Sequence, residues 1–169
     1  MTQSTAGAKR ALFTLPSDRE VAMECVFDAP RDLVFTAATD RALIPGWWGP
    51  AALATTVEEM DVRPGGVWRY IQRDAAGNEY AFHGRYVEVA APERLAYTFE
   101  FEGMPGHVSL ETCTLEDIGD KTKMTTKSVY QSVEDRDGAL KSGMEEGVLE
   151  TMDRLAELLG QLKIERKAA

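Results

Sequence analysis

The fold is decided by residues 79–101, which read EYAFHGRYVEVAAPERLAYTFEF. Over residues 95–101, large apolar side chains alternate with small or acidic ones, the period-two pattern of a strand buried on one face. Residues 79–89 predict a second strand, and the four residues AAPE at 90–93 predict a tight turn between the two. Because a turn this short joins antiparallel neighbours, the stretch predicts an antiparallel strand pair.

The register of this pair decides what its aromatic side chains do. A four-residue loop pairs Val89 with Arg94 at its base, and it pairs Tyr86 with Tyr97 further along. Aromatic side chains then share one surface, with Gly84 leaving a gap: Phe82, Tyr86, Tyr97, Phe99 and Phe101. Since a slip of one residue reverses the face, two alternatives stay open. One is an aromatic-lined pocket with tyrosine hydroxyls as its polar anchors, and the other is a solid core.

The same period-two pattern recurs on both sides of this pair. It predicts seven strands in all, over residues 21–27, 55–62, 67–73, 79–89, 95–101, 107–118 and 121–130. Two short helices are expected after the first strand. One opens at Pro30, and the other covers Arg41–Ile44 behind an N-cap at Asp40. Residues 1–16 lack periodicity and are interpreted as a flexible lead-in.

After the last strand the period changes to that of a helix. Ser132 with Asp135 three residues later matches a capping box, and Gly160 is the predicted helix stop. A single apolar stripe on this long helix is expected to pack on the sheet: Leu140, Met144, Val148, Met152, Leu155 and Leu159. The sequence therefore predicts one α+β domain over residues 17–160, a seven-stranded antiparallel sheet with a long helix on one face, followed by a frayed tail over 161–169.

Composition excludes several classes of protein. The chain has 169 residues, about one domain at roughly 150 residues each, and a net charge of −9. That sign argues against a nucleic-acid binder and against docking on an anionic membrane. No apolar run reaches the roughly 20 residues that span a bilayer, and residues 1–10 hold no signal-peptide core. Two cysteines and two histidines without ligand spacing predict no metal site. We expect a cytoplasmic protein without cofactor, for which an exposed edge strand leaves a homodimer open.

Four short motifs together resemble one known family. They are Asp28–Pro30 (DAP) opening a helix, Trp47–Pro50 (WWGP), Asp61–Gly66 (DVRPGG) and Pro92–Leu95 (PERL). Their combination over about residues 19–160 resembles the heat-shock protein 90 ATPase activator homologue family, in its bacterial single-domain form. That family belongs to the START-like (SRPBCC) superfamily, together with polyketide cyclases and lipid-transfer domains. The resemblance implies a helix-grip fold, in which a curved antiparallel sheet wraps around the long C-terminal helix. It also implies an apolar cavity between the sheet and that helix.

The resemblance carries no catalytic residue, because the family has no fixed catalytic motif. The eukaryotic co-chaperone of the family owes much of its action to an additional N-terminal domain. Residues 1–16 are too short to hold that domain, so we do not expect co-chaperone activity from the resemblance.

The cavity implied by the resemblance has candidate walls in the sequence. Its expected lining is Trp68, Tyr70, Phe82, Tyr97 and Phe99 on the sheet and Met144 on the helix, with Trp47 or Trp48 near the mouth. Adjacent residues point different ways, so one of these two tryptophans should be buried and the other partly exposed. Gly143 and Gly147 are expected to leave volume beside the wall.

Three functions stay open at this stage. The first is a binding domain that holds a small apolar or aromatic molecule in the cavity. The second is an enzyme of the cyclase or dehydratase kind, using His83 or a buried carboxylate, although His83 is opposite in phase to Phe82 and can equally face solvent. The third is a chaperone-associated interaction module. Rings packed into one another without a void would favour the third function, and an inward His83 beside a carboxylate would favour the second.

Overall fold

A computed structural model describes residues 9–169 of the protein. Its elements are β1 (Lys9–Thr14), β2 (Glu20–Phe27), α1 (Arg31–Thr39), a 3₁₀ helix (Ile44–Gly46), β3 (Ala54–Met60), β4 (Val67–Arg73), β5 (Glu79–Ala90), β6 (Arg94–Phe101), β7 (Val108–Asp117), β8 (Thr122–Val129), α2 (Val133–Lys141) and α3 (Met144–Ala168). The eight strands form one antiparallel sheet in the order β1-β2-β8-β7-β6-β5-β4-β3. The α+β class is therefore confirmed, and the predicted strand number of seven is wrong by one.

The additional strand is β1, which pairs with β2. It lies inside the predicted lead-in of residues 1–16, and that prediction is corrected for Lys9–Thr14. Ala11 and Phe13 are its buried side chains. Two apolar positions are too few to establish a period, which is why the pattern gave no signal. Residues 1–8 of the predicted lead-in lie outside the described residues.

Of the two predicted short helices, the first is confirmed and the second is displaced. Helix α1 follows Pro30 and buries Leu33, Val34 and Ala37 on the core side. Residues 41–43 form a turn, in which a carboxylate oxygen of Asp40 accepts from the amide of residue 42 at 2.9 Å, and the 3₁₀ helix follows only at Ile44–Gly46. Pro45 fits this position, because proline is tolerated in the first turn of a helix, where its missing N–H has no partner to lose.

The predicted long C-terminal helix is two helices. Ser132 is the N-cap of α2, with its hydroxyl accepting from the amide of Asp135 at 3.1 Å, so that prediction is confirmed. The helix then breaks at Ser142–Gly143, where Gly143 adopts a φ of +85°. A left-handed residue ends an α-helix, and glycine occupies that region without steric cost.

Helix α3 continues past Gly160 to Ala168, so the predicted stop and the predicted frayed tail over 161–169 are both wrong. A glycine inside a helix costs about 1 kcal/mol, which neighbouring interactions can offset. Here Lys163 donates to the carbonyl of Asp28 at 2.8 Å, and Arg166 pairs with Asp32 at 3.2 Å. These contacts hold the last turns of α3 against the first turn of α1 and the residues just before it.

The apolar stripe of the C-terminal helices is buried in only one half. Met152, Leu155 and Leu159 are buried, and they pack with α1 and the inner face of β2 in the main core. The other half of the stripe is half-buried: Leu140, Met144 and Val148. Midway along α3, Arg154 donates to the carbonyl oxygens of Gly49 and Gly46, at 2.6 and 3.3 Å, and so fixes the helix to the WWGP loop.

The β5–β6 register largely follows the prediction. Tyr86 pairs with Tyr97 as expected. Val89 pairs with Leu95 instead of Arg94, because a bulge between Tyr86 and Glu88 inserts one extra residue into β5. The expected gap at Gly84 is absent, since a Cβ at that position would collide with the carbonyl oxygen of Thr98 and the indole nitrogen of Trp68.

Candidate functional site

An aromatic cluster covers the inner face of the sheet where β4, β5 and β6 lie side by side. Its members are Trp48, Trp68, Tyr70, Phe82 and Phe99. Ring centroids are 4.8 Å apart for Trp68 and Tyr70, and 5.6 Å apart for Phe82 and Phe99. These are the edge and tilted contacts of directly packed rings. At this end of the interior, therefore, the expected pocket wall is a solid core.

The two adjacent tryptophans divide as expected. Trp47 is 8% exposed, and its indole nitrogen donates to the carbonyl of Ala37 at 3.0 Å, on the α1 side. Trp48 is half-buried, and its ring lies 5.0 Å from Tyr70 and 5.3 Å from Phe82. Trp48 therefore lies at the solvent-facing edge of the aromatic cluster, where it covers the rings of Tyr70 and Phe82.

A shallow open cleft of about 290 Å³ borders the aromatic cluster. Its lining is Leu53, Gln72, Tyr80, Phe82 and Phe101. Gln72 is buried there, and its side-chain amide donates to the hydroxyl of Thr55 at 3.3 Å. Met144 does not line this cleft, and its sulfur accepts from the hydroxyl of Tyr130 at 3.4 Å. The structure thus brings the predicted sheet residues together with Trp48, while Trp47 and Met144 contact other groups.

Sequence reasoning missed a buried carboxyl on β7, that of Glu111. Its cross-strand neighbours are Tyr97 on β6 and Ser128 on β8. The Ser128 hydroxyl donates to Oε1 at 2.7 Å, whereas Oε2 is buried and has no hydrogen-bond partner among the described residues. Burial raises the pKa of Glu111 above its ordinary value, and the nearby hydroxyls of Ser128 and Ser109 oppose that rise.

Further polar groups surround this carboxyl, and we call them together the Glu111 cluster: Tyr97, Ser109, Glu111, Cys113, Ser128 and Tyr130. Burial raises the pKa of Tyr97 well above its usual range, and that of Cys113 and of Tyr130 to about 12. The charge of Glu111 adds to the rise at both tyrosines. All these shifts favour the neutral forms, which is the mark of a desolvated environment.

Several members of the Glu111 cluster are nevertheless only half-buried. Tyr97, Glu111 and Cys113 each retain accessible surface, although β6 and β7 are flanked by strands on both sides. Leu115, next on the same face of β7, is 3% exposed. The inner face of the sheet is therefore closed near Leu115 and less tightly covered at Tyr97 and Glu111.

The sequence carries a weak signal for Glu111. Residues 108–115 read VSLETCTL, in which apolar residues occupy one phase at Val108 and Leu110 and the other phase at Cys113 and Leu115. The change of phase hides which face is buried, and Glu111 falls at the point where it changes. An acidic residue at such a point is a position to examine as a buried polar group.

His83 lies on the outer face of the sheet, as its phase relative to Phe82 predicted. Its ring nitrogens reach Glu102 at 2.9 Å and Glu100 at 3.2 Å. Arg69 pairs with Glu102 at 2.7 Å, and this hydrogen bond, with that of His83, lowers the pKa of Glu102 to about 2. The inward His83 that would favour an enzyme is therefore absent, and the histidine belongs to a surface network.

Metal and thiol chemistry find little support in the described part of the chain. Over residues 9–169, no group of three or more His, Cys, Asp or Glu side chains is placed to hold a metal ion. Cys25 and Cys113 are free thiols, and burial raises the pKa of each to about 12. Among the described helices, none combines the length and the apolar character needed to cross a membrane.

Comparison with known proteins agrees with this geometry. Residues 28–160 match the family model described as activator of Hsp90 ATPase homolog 1-like protein. A solution structure from Arthrobacter aurescens is 24% identical, with a TM-score of 0.83 over 89% of this chain and 91% of that one. One from Staphylococcus epidermidis is 26% identical, with a TM-score of 0.76 over 87% and 93%.

DynU16, a protein of the dynemicin biosynthetic locus, is 23% identical, with a TM-score of 0.67 over 85% of this chain and 48% of that one. A search of curated proteins found no significant match. The structural likenesses show a shared START-like, helix-grip fold.

Proposed function

The chain belongs to the activator of Hsp90 ATPase homolog 1-like family, and we propose that it binds an apolar or aromatic small molecule between its sheet and helix α3. The fold of this family supports ligand binding in general. The observation that carries the proposal is the Glu111 cluster, in which Tyr97, Glu111 and Cys113 are desolvated and yet keep accessible surface.

Desolvated but accessible side chains favour a narrow interior space over a solid core. In a solid core the same positions would be covered, as Leu115 and Met124 are at 3% exposure on β7 and β8. On α3, Met144, whose sulfur accepts from Tyr130, and Val148 one turn later are likewise half-buried. A ligand placed between these two surfaces would cover both.

The proposed site has the chemistry of a small-molecule site, with apolar walls and few polar anchors. Phe99 and the ring of Tyr97 supply apolar area, and Trp68 contacts both rings at 5.9 and 5.8 Å. Burial of apolar ligand surface contributes about 25 cal/mol per Å² before the costs of association. Phe99 is also in contact with Phe82, which lines the open cleft, so the rings connect the cleft to the Glu111 cluster.

The ring contacts of the aromatic cluster limit where a ligand can lie. The Trp48 ring packs against Tyr70 and Phe82, and such packing by itself favours the alternative of an interaction module. The proposal therefore places the ligand at Tyr97 and Glu111, where packing is looser. Of the predicted lining, Tyr97 and Phe99 contact the ligand in this proposal, and Trp68 and Tyr70 support them from behind.

A second candidate function is an enzyme of the cyclase or dehydratase kind that uses the same space. The specific observation in its favour is the raised pKa of Glu111, which suits a general acid or base held inside a fold. Turnover of any ligand that the protein retains would distinguish this candidate from simple binding.

The test is a titration with the neutral apolar dye N-phenyl-1-naphthylamine, followed by energy transfer from tryptophan. We expect saturable binding to the wild-type protein and at least fivefold weaker binding to Tyr97→Ala. Val87→Ala, at an exposed position on β5, is the control and should bind as the wild type does. Absence of saturable dye binding, together with no retained small molecule in native mass spectrometry of protein from its own cells, would overturn the proposal.

A further inference from the structure

Only one of the two carboxyl oxygens of Glu111 has a hydrogen-bond partner among the described residues. Oε1 accepts from the Ser128 hydroxyl at 2.7 Å, and the buried Oε2 accepts from no described residue. A buried polar atom without a partner costs free energy, and native structures leave few of them. The Ser109 hydroxyl lies near enough to oppose the rise in the pKa of Glu111, but no hydrogen bond from a described residue reaches Oε2, so this oxygen can accept from a bound molecule.

When Glu111 is ionised, no neighbouring cation among the described residues compensates its charge. No Lys, Arg or His side chain among residues 11–169 pairs with it, and its polar neighbours are hydroxyls and a thiol that burial keeps neutral. Every other member of the Glu111 cluster can therefore donate a hydrogen bond, but none can neutralise a carboxylate. A cation is the partner that this arrangement lacks.

The surroundings of Glu111 suit an organic cation better than a metal ion. Tyr97 is its cross-strand neighbour, and the rings of Trp68 and Phe99 continue the same wall. Aromatic faces attract ammonium groups, particularly where water is excluded. A metal ion needs several oxygen, nitrogen or sulfur ligands, and no such group occurs among the described residues. The net charge of −9 favours the approach of cations in general.

We infer that the ligand is an amine: an apolar or aromatic body carrying a protonated nitrogen, which donates a hydrogen bond to Oε2 of Glu111. This inference rests on the proposed function, because it names the ligand class for the same site. Tyr97 and Phe99 cover the apolar body in this arrangement, and Ser128 holds the carboxylate through Oε1. Proximity of the ammonium group in turn favours the ionised form of the carboxyl.

The test compares two probes of nearly equal shape, 2-naphthylmethylamine and 2-naphthalenemethanol, by calorimetric titration at pH 7.5. Measurements in 0.5 M NaCl screen surface charge far more than a buried pair. We expect the amine to bind the wild-type protein at least tenfold more tightly than the alcohol. In Glu111→Gln the two affinities should become equal, and a cooperative thermal unfolding transition shows that the variant is folded.

The matched control is Glu116→Gln, which removes an exposed carboxylate from the same strand and should keep the tenfold preference. Equal binding of the two probes to the wild type, or tighter binding of the alcohol, would overturn the inference and leave the proposed function standing. Failure of both probes to bind counts against the proposed function itself. If Glu111→Gln does not fold, the preference of the wild type decides the question alone.

Discussion

Side chains on the two halves of α3 should differ in how much their truncation to alanine lowers the free energy of unfolding. Leu155 is 0% exposed, and its removal leaves a cavity with few ways to collapse. Leu155→Ala should therefore lower the free energy of unfolding by about 2–5 kcal/mol, the range for buried leucines. Val148 lies two turns earlier and is half-buried. With roughly half of the side chain to lose from burial, Val148→Ala should cost about 0.5–1.5 kcal/mol.

Urea denaturation followed by far-ultraviolet circular dichroism measures both costs, and equal m values confirm that the transitions are comparable. For a chain of this size, each 1 kcal/mol corresponds to a shift of about 2–4 °C in Tm. Ile164→Ala is the control on the same helix, since Ile164 is 70% exposed and its truncation should change stability by less than about 0.5 kcal/mol. A loss below about 0.5 kcal/mol for Leu155→Ala, or a larger loss for Val148→Ala, would refute the division of the helix.

Further predictions concern glycines, thiols and a surface carboxylate. Gly147→Ala should stabilise the protein by up to about 1 kcal/mol, because a Cβ added there meets nothing within 4 Å. Gly143→Ala should instead destabilise it by about 1–2 kcal/mol, because Gly143 has a φ of +85°. Thermal unfolding of both variants checks the opposite signs. Cys113 should react with a thiol reagent faster than Cys25, which is only 2% exposed. Both thiols should react slowly in the native protein, because burial raises the pKa of each to about 12. Equal rates would contradict an interior space beside Cys113. The pKa of Glu102 is lowered to about 2, so its ion pair stabilises the fold above about pH 4.5 and this contribution is lost as the pH falls toward 2. The stability difference between wild type and Glu102→Gln should therefore vanish near pH 2 in acid titrations, and a difference that persists there would contradict the assignment.

The sequence predicted the strands well where apolar and polar residues alternate over many positions. The β5–β6 pair is the best example, because Tyr86 faces Tyr97 as the loop length requires. Bulges do not follow from alternation, so the extra residue near Val87 shifted the base of the loop by one. Strand β1 was missed for the opposite reason, since two buried positions do not make a pattern.

The candidate site was harder to predict than the fold. Aromatic residues were correctly assigned to one inner face, but their contacts depend on side-chain packing between strands, and alternation does not specify it. Gly84 illustrates this, because the space predicted beside it holds Trp68 and the Thr98 carbonyl. Glu111 was missed because burial of a carboxyl is decided by neighbouring strands, which only the three-dimensional register brings beside it.

Two hydrogen bonds from Arg154 to the carbonyl oxygens of Gly49 and Gly46 connect two parts of the chain that are distant in sequence. Arg154 lies on α3, and the loop that it holds carries Trp48, whose ring contacts Tyr70 and Phe82. A displacement of α3 that keeps these two hydrogen bonds also has to move Gly46 and Gly49, and with them the adjoining Trp48. The position of α3 and the position of Trp48 are therefore coupled through Arg154.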